Sequence, residues 1–125
     1  MSQPGFSPDP LLEQTSDPAF VIDPLDDRFV DANAAGCDLL GYTRGELLDT
    51  PVSRIHPGEL EQLHAFVSRV LEQGRGSTIT LTCRIRQGNR LPIELALWAF
   101  ESAGRIRLLG LVDDRSEHRR RPAGR

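Results

Sequence analysis

The chain is 125 residues long, 38% hydrophobic and 26% charged, which leaves room for one domain around one core and excludes a disordered composition. Its formal net charge of -3 argues against nucleic acid as the main partner, and no apolar run approaches the ~20 residues of a membrane span. All fifteen basic residues are arginine, which removes mechanisms that need lysine, Schiff base and phosphate loop alike.

In chain order, Met1 to Gly5 has neither the charge nor the apolar stretch of a secretory signal, so the default location is cytoplasmic. Residues 1–10 carry four Pro or Gly and read as a flexible lead; the domain is expected over 11–116 and the start of a C-terminal linker over 117–125. Leu11 to Gln14 fit one helical turn. Ala19-Phe20-Val21-Ile22-Asp23 is a β-branched strand stopped by Pro24, and Arg28-Phe29-Val30-Asp31-Ala32 follows at hairpin distance across Asp26-Asp27.

Asn33 can cap a helix over 34–40 that Gly41 terminates in the left-handed conformation. Thr43-Arg44-Gly45-Glu46 is a capping box, with Tyr42 and Leu47 placed as a hydrophobic staple, and that helix ends by Thr50-Pro51. His56-Pro57 is expected to open the longest helix, running to Gln73 before Gly74. Leu60, Leu63, Val67, Val70 and Leu71 recur at three- and four-residue spacing as its apolar stripe.

Beyond Gly76 the period changes to two. From Thr78 to Arg86, Ile79, Leu81, Cys83 and Ile85 alternate with polar residues, and Gly88-Asn89 supplies a tight turn. The next strand, 91–100, sets Leu91, Ile93, Leu95 and Leu97 against Glu94, Ala96 and Trp98. The last runs from Arg105 to Val112, and its Leu109 and Leu111 make it a central strand covered on both faces. Two strands, several helices and three antiparallel strands are an α+β arrangement on one five-stranded sheet.

These residues resemble the PAS family over Leu11 to Arg119. The resemblance rests on Phe20-Val21-Ile22-Asp23, on Val30-Asp31-Ala32-Asn33-Ala34-Ala35, and above all on Leu40-Gly41-Tyr42-Thr43-Arg44-Gly45-Glu46-Leu47-Leu48. His56-Pro57 and the exit Gly110-Leu111-Val112-Asp113-Asp114-Arg115-Ser116-Glu117 add to it, whereas Gln87 stands where many members carry aspartate. The resemblance implies sheet order 2-1-5-4-3, helices packed across one face, and a small ligand or cofactor held between. Leu60, Leu63, Val67, Leu81, Cys83, Leu95 and Leu97 are then the pocket-lining candidates. It implies a sensory input module of a larger signalling protein, a homodimer, with a kinase, cyclase or transcription domain as downstream effector.

Asp114, Ser116 and Glu117 are the candidates for signal transmission: Asp114 can cap a following helix while Glu117 reaches back, joining strand exit to helix start. His64, one turn from Leu60 and one from Val67, is a candidate haem-iron ligand on the buried helix face, the position at which one group of haem-binding PAS oxygen sensors carries its proximal histidine. His56 and His118 carry no such expectation. Residues 49–57 contain no cysteine, so flavin photo-adduct chemistry is excluded; Cys37 and Cys83 read as small core hydrophobes and no metal site is expected. Trp98 and Phe100, large apolar groups on the more polar side of their strand, mark a dimer contact. The sequence sets no nucleophile beside a base, no paired carboxylates in a pocket and no phosphate-cradling glycines in a supporting context, so the domain is not read as an enzyme.

Overall fold

The structure, a computed structural model, describes Leu12 and residues 15–116. In chain order its elements are β1 (Ala19–Asp23), β2 (Arg28–Ala32), α1 (Ala34–Leu40), α2 (Arg44–Leu48) and a 3-10 turn (Val52–Ile55). They continue with α3 (Leu60–Gln73), β3 (Arg75–Thr78), β4 (Thr82–Arg84), β5 (Arg90–Ser102) and β6 (Arg105–Asp114). The sheet runs β2-β1-β6-β5-β3, with β4 also paired to β5, and every pairing is antiparallel. Counting β3 and β4 as one interrupted strand, this is the expected order.

The helix ends form as their residues dictate. Asn33 Oδ1 accepts the Gly36 N–H at 2.8 Å and also the Ala19 N–H at 3.0 Å, so the cap of α1 is tied to β1. Gly41 closes that helix at φ 83°. The capping box of α2 is complete: Thr43 Oγ accepts the Glu46 N–H at 3.1 Å and Glu46 Oε1 accepts the Thr43 N–H at 2.9 Å.

Two layers of apolar side chains follow from strand alternation. Phe20, Ile22, Ile93, Leu95, Leu97, Leu108 and Val112 face the helices, where Leu40, Leu47, Leu63, Phe66 and Val70 meet them. Ala19, Val21 and Leu109 face the other way beside Leu12, with Val30, Phe100 and Leu111 half-buried around them. All five residues of β1 are buried because it is covered on both faces.

Three expectations need correction. The strand expected over 78–86 is two strands. Four residue steps separate Thr78 from Thr82 while three separate their partners Leu95 and Pro92, so one extra residue is inserted at 79–81. That bulge inverts the side-chain alternation: Leu81 and Cys83 are buried as the spacing implies, but Ile79 is thrown outward, 54% exposed. Pro92, which has no N–H to donate, sits opposite Thr82 where the ladder resumes.

The long helix begins at Leu60, not at Pro57, because Pro57 and the left-handed Gly58 (φ 80°) make a turn in front of it. Its buried residues are Leu63, Phe66 and Val70, with Val67 half-buried; Leu60 and Leu71 are exposed. The core-facing stripe is therefore narrower than the spacing implied and rotated toward Phe66, whose ring lies where a Cβ on Gly76 would come within 3.3 Å.

Candidate functional site

Between sheet and helices lies a cavity of about 40 Å³, lined among others by Leu63, Cys83, Leu95, Leu97 and Gly110 and, as its one polar side chain, His56. A space of this size admits water but lies far below the ~300–1,000 Å³ of sites that bury drug-sized ligands. The core is thus filled by its own side chains.

Four of the seven pocket candidates, Leu63, Cys83, Leu95 and Leu97, line this cavity, and Leu81 is buried in the same core. Leu60 and Val67 do not. They border an open groove of about 440 Å³ between α3 and the β1–β2 turn, together with Leu63, which reaches both spaces, and His64. His64 is exposed, a correction to its expected place on the buried face: one step of 100° from Leu63 carries it to the groove side. The geometric argument for it as a haem ligand is thereby removed.

His56 is the residue that spacing missed. It is buried at 5% exposure, and its Nδ1 lies 2.7 Å from the Thr82 carbonyl oxygen. Since a carbonyl only accepts, Nδ1 carries the hydrogen. Burial pushes the imidazole below its ordinary pKa of 6.5, against the opposing pull of the Thr82 carbonyl and of Glu59 and Asp27. Glu59, at the N-cap of α3, grips the same residue from the other side: Oε1 accepts the Thr82 N–H at 2.9 Å and Oε2 the Thr82 hydroxyl at 2.8 Å. Burial pushes the neighbouring Cys83 thiol up to about 12, with Glu59 and Asp114 adding to the effect, so it is neutral and inert. The signal in the sequence was a histidine placed just before Pro57, outside the amphipathic pattern.

Asp23 was also missed. Nearly buried at the end of β1, it accepts the N–H groups of Leu25 and Asp26 at 3.0 and 3.1 Å and two bonds from Arg105. Burial raises its pKa, but these donors together outweigh it and hold the carboxyl below its usual 3.8.

At the exit, β6 ends at Asp114, whose Oδ1 accepts the Ser116 N–H at 2.9 Å and the Ser116 hydroxyl at 2.6 Å. Residues 115 and 116 are already helical, so strand and helix meet at this side chain. Glu117 lies outside the described residues. On the outer sheet face Trp98 is 37% exposed and Phe100 half-buried. Among the described residues no group of three or more His, Cys, Asp or Glu is placed to hold a metal ion, and no helix is long and apolar enough to cross a membrane.

The sheet order, the helices on one face and the exit at the end of a central strand now meet a matching family description, "PAS domain", over residues 17–117. The chain belongs to the PAS domain family. Solved structures agree in fold. A PAS domain from a two-component sensor histidine kinase superposes with a TM-score of 0.71 at 17% identity, covering 83% of this chain and 89% of that one. The PAS domain of a protein from Colwellia psychrerythraea gives 0.72 at 23% identity, covering 85% and 92%. That of nitrogen regulation protein NR(II) from Vibrio parahaemolyticus gives 0.70 at 16%, covering 88% and 99%. Comparison with curated proteins finds no match.

Proposed function

We propose that this PAS domain is the sensory input module of a larger, cytoplasmic signal-transduction protein, acting as a homodimer and relaying a shift of β6 into an effector joined after Ser116. Its role is sensing and relay, with any catalysis in the effector. The observation that carries the reading is the continuity of β6. Gly110 and Val112 line the core cavity, and the same strand ends two residues later at Asp114, which holds Ser116. Because β6 lies between β1 and β5 it moves as part of the sheet, so a change in core packing reaches the exit without crossing a loop. The likeness to a PAS domain of a two-component sensor histidine kinase supports a kinase as the class of effector. A small apolar ligand would enter the core only with rearrangement of the side chains around the 40 Å³ cavity. Trp98 and Phe100 on the outer face supply the surface for the dimer.

The test is output from the full-length protein carrying Asp114→Ala or Ser116→Ala. Response to the input should be lost while the domain keeps its fold by circular dichroism. An unchanged response in both variants would remove the relay. Sedimentation of the domain, with Trp98→Glu as the disrupting variant, tests the dimer; a monomeric wild-type protein rejects it.

A further inference from the structure

The outer face of the sheet is polarised along its strands. Residues opposite each other in the ladder share a face, so Glu94 lies beside Asp113 at one end and Phe100 beside Arg107 toward the other. Between them come Ala96 beside Leu111 and Trp98 beside Leu109. Arg75, on the edge strand β3, flanks Trp98. One end of the face is thus acidic and the other basic, with apolar side chains between. Leu12 packs with Ala19, Val21 and Leu109 on the β1 side, while Trp98 on the β5 side is 37% exposed.

Much of this charge is unmatched within the chain. Glu94 and Arg75 are exposed, and among the described residues neither side chain has a hydrogen-bond or ion-pair partner. Arg107 has its Nε buried without a hydrogen-bond partner, 3.7 Å from Asp23 Oδ2. Glu94 directly opposite Asp113 sets like charges side by side, which disfavours the isolated face and favours an approaching cation.

We propose, resting on the homodimer proposed above, that two copies meet through this face with their strands antiparallel, the basic end of each against the acidic end of the other. The two-fold axis crosses the strands over the Leu97–Gly110 pair, midway between the two charged ends. Trp98 then lies against the partner's Ala96, large on small. Arg107 lies under the partner's Asp113, and the partner's Glu94 comes over Phe100 within reach of Arg75 and Arg107, because packed sheets stand ~10 Å apart and these side chains are long.

A two-fold axis along the strands would instead set each charged end against itself, carboxylates on carboxylates and guanidinium groups on guanidinium groups. Charge therefore selects the antiparallel pair. The consequence reaches the exits. Asp114 lies four residues beyond Gly110, so at ~3.3 Å per residue the two strand ends stand about 30 Å apart, at opposite ends of the dimer. Each copy relays to an effector at its own end, and the two exit helices do not pair with each other.

The test is the dissociation constant of the 125-residue chain by sedimentation equilibrium, as wild type, Glu94→Gln, Glu94→Arg, Arg75→Glu and the double variant Glu94→Arg/Arg75→Glu. Glu94 occurs twice in the dimer, so Glu94→Gln should weaken association by about fivefold, with Glu94→Arg and Arg75→Glu weakening it further. The double variant should associate at least about threefold more tightly than Glu94→Arg alone, which only a contact between copies can produce, since Glu94 and Arg75 are far apart within one chain. Wild-type association should also weaken between about 50 and about 500 mM salt. Tighter association in Glu94→Gln or at high salt, or no rescue in the double variant, overturns the antiparallel arrangement while a dimer that Trp98→Glu dissociates still stands. A wild-type chain that stays monomeric overturns both.

Discussion

Asp23 Oδ2 accepts two hydrogen bonds from Arg105, at 3.1 Å from Nε and 2.6 Å from Nη2, joining the end of β1 to the start of β6. Arg105 reaches Asp26 Oδ2 as well, at 3.0 Å, so the β1–β2 turn and the β5–β6 turn are clamped by one guanidinium. Arg107 brings a second positive charge within 3.7 Å of the same carboxylate.

Replacing Asp23 by Ala removes a buried carboxylate that accepts four hydrogen bonds, two of them charge-assisted from Arg105. The variant is expected to lose about 2–3 kcal/mol of stability in urea denaturation at pH 7, with Asp23→Asn losing less. In wild type this contribution is present above pH 3.8 and disappears as pH falls through the lower folded-state value. The urea midpoints of wild type and Asp23→Ala should therefore converge as the pH is taken below 3.8.

The packing of α1 on β1 depends on a missing side chain. A Cβ at Gly36 would stand 2.8 Å from Phe20 Cε1 and 3.1 Å from the Ala19 carbonyl oxygen. Gly36→Ala should cost about 1–3 kcal/mol by forcing the Phe20 ring out of place. Gly45, in α2 with nothing within 4 Å, is the control: Gly45→Ala should stabilise by up to about 1 kcal/mol through helix propensity. Equal effects of the two in chemical denaturation would contradict this account.

The β5–β6 turn holds Ala103 at φ 54° followed by Gly104 at φ 78°, two successive left-handed residues between the paired Ser102 and Arg105. This is the backbone of a type I′ hairpin turn, in which alanine is strained and asparagine favoured. Ala103→Asn is expected to raise the thermal midpoint by about 2–6 °C, and no gain in calorimetry would reject the strain.

At the exit, loss of the Asp114 side chain removes both of the described bonds that fasten Ser116. Asp114→Ala should speed amide hydrogen exchange at Ser116 at least tenfold, roughly, while β1 and β5 exchange as before. Uniform acceleration through the sheet would place Asp114 among the residues that hold the fold together, not at a local joint.

Local chemistry was legible because it needs only neighbours. The cap at Asn33, the capping box at Thr43 and Glu46, the turn at Asp26-Asp27 and the alternation in β5 all form as their residues imply. The order of the strands came from the family resemblance, and Asp114 with Ser116 from that and the capping pattern together. The errors share a cause. Periodicity assumes an uninterrupted element, and one inserted residue at 79–81 reversed the sense of the alternation before it. On α3 the sequence presented a stripe wider than the sheet could cover, so Leu60 and Leu71 were left outside and His64 with them.

The sequence by itself determined the caps of α1 and α2, the end of α3 at Gly74 and the inward face of β5, since each depends on contacts between residues a few positions apart. Only the tertiary structure decided which polar groups would be buried and by whom they would be satisfied. His56 meets Thr82 across 26 positions and Asp23 meets Arg105 across 82. Neither spacing has a period to detect, because the meeting is set by how the sheet closes over the helices and by how far each side chain is withdrawn from water.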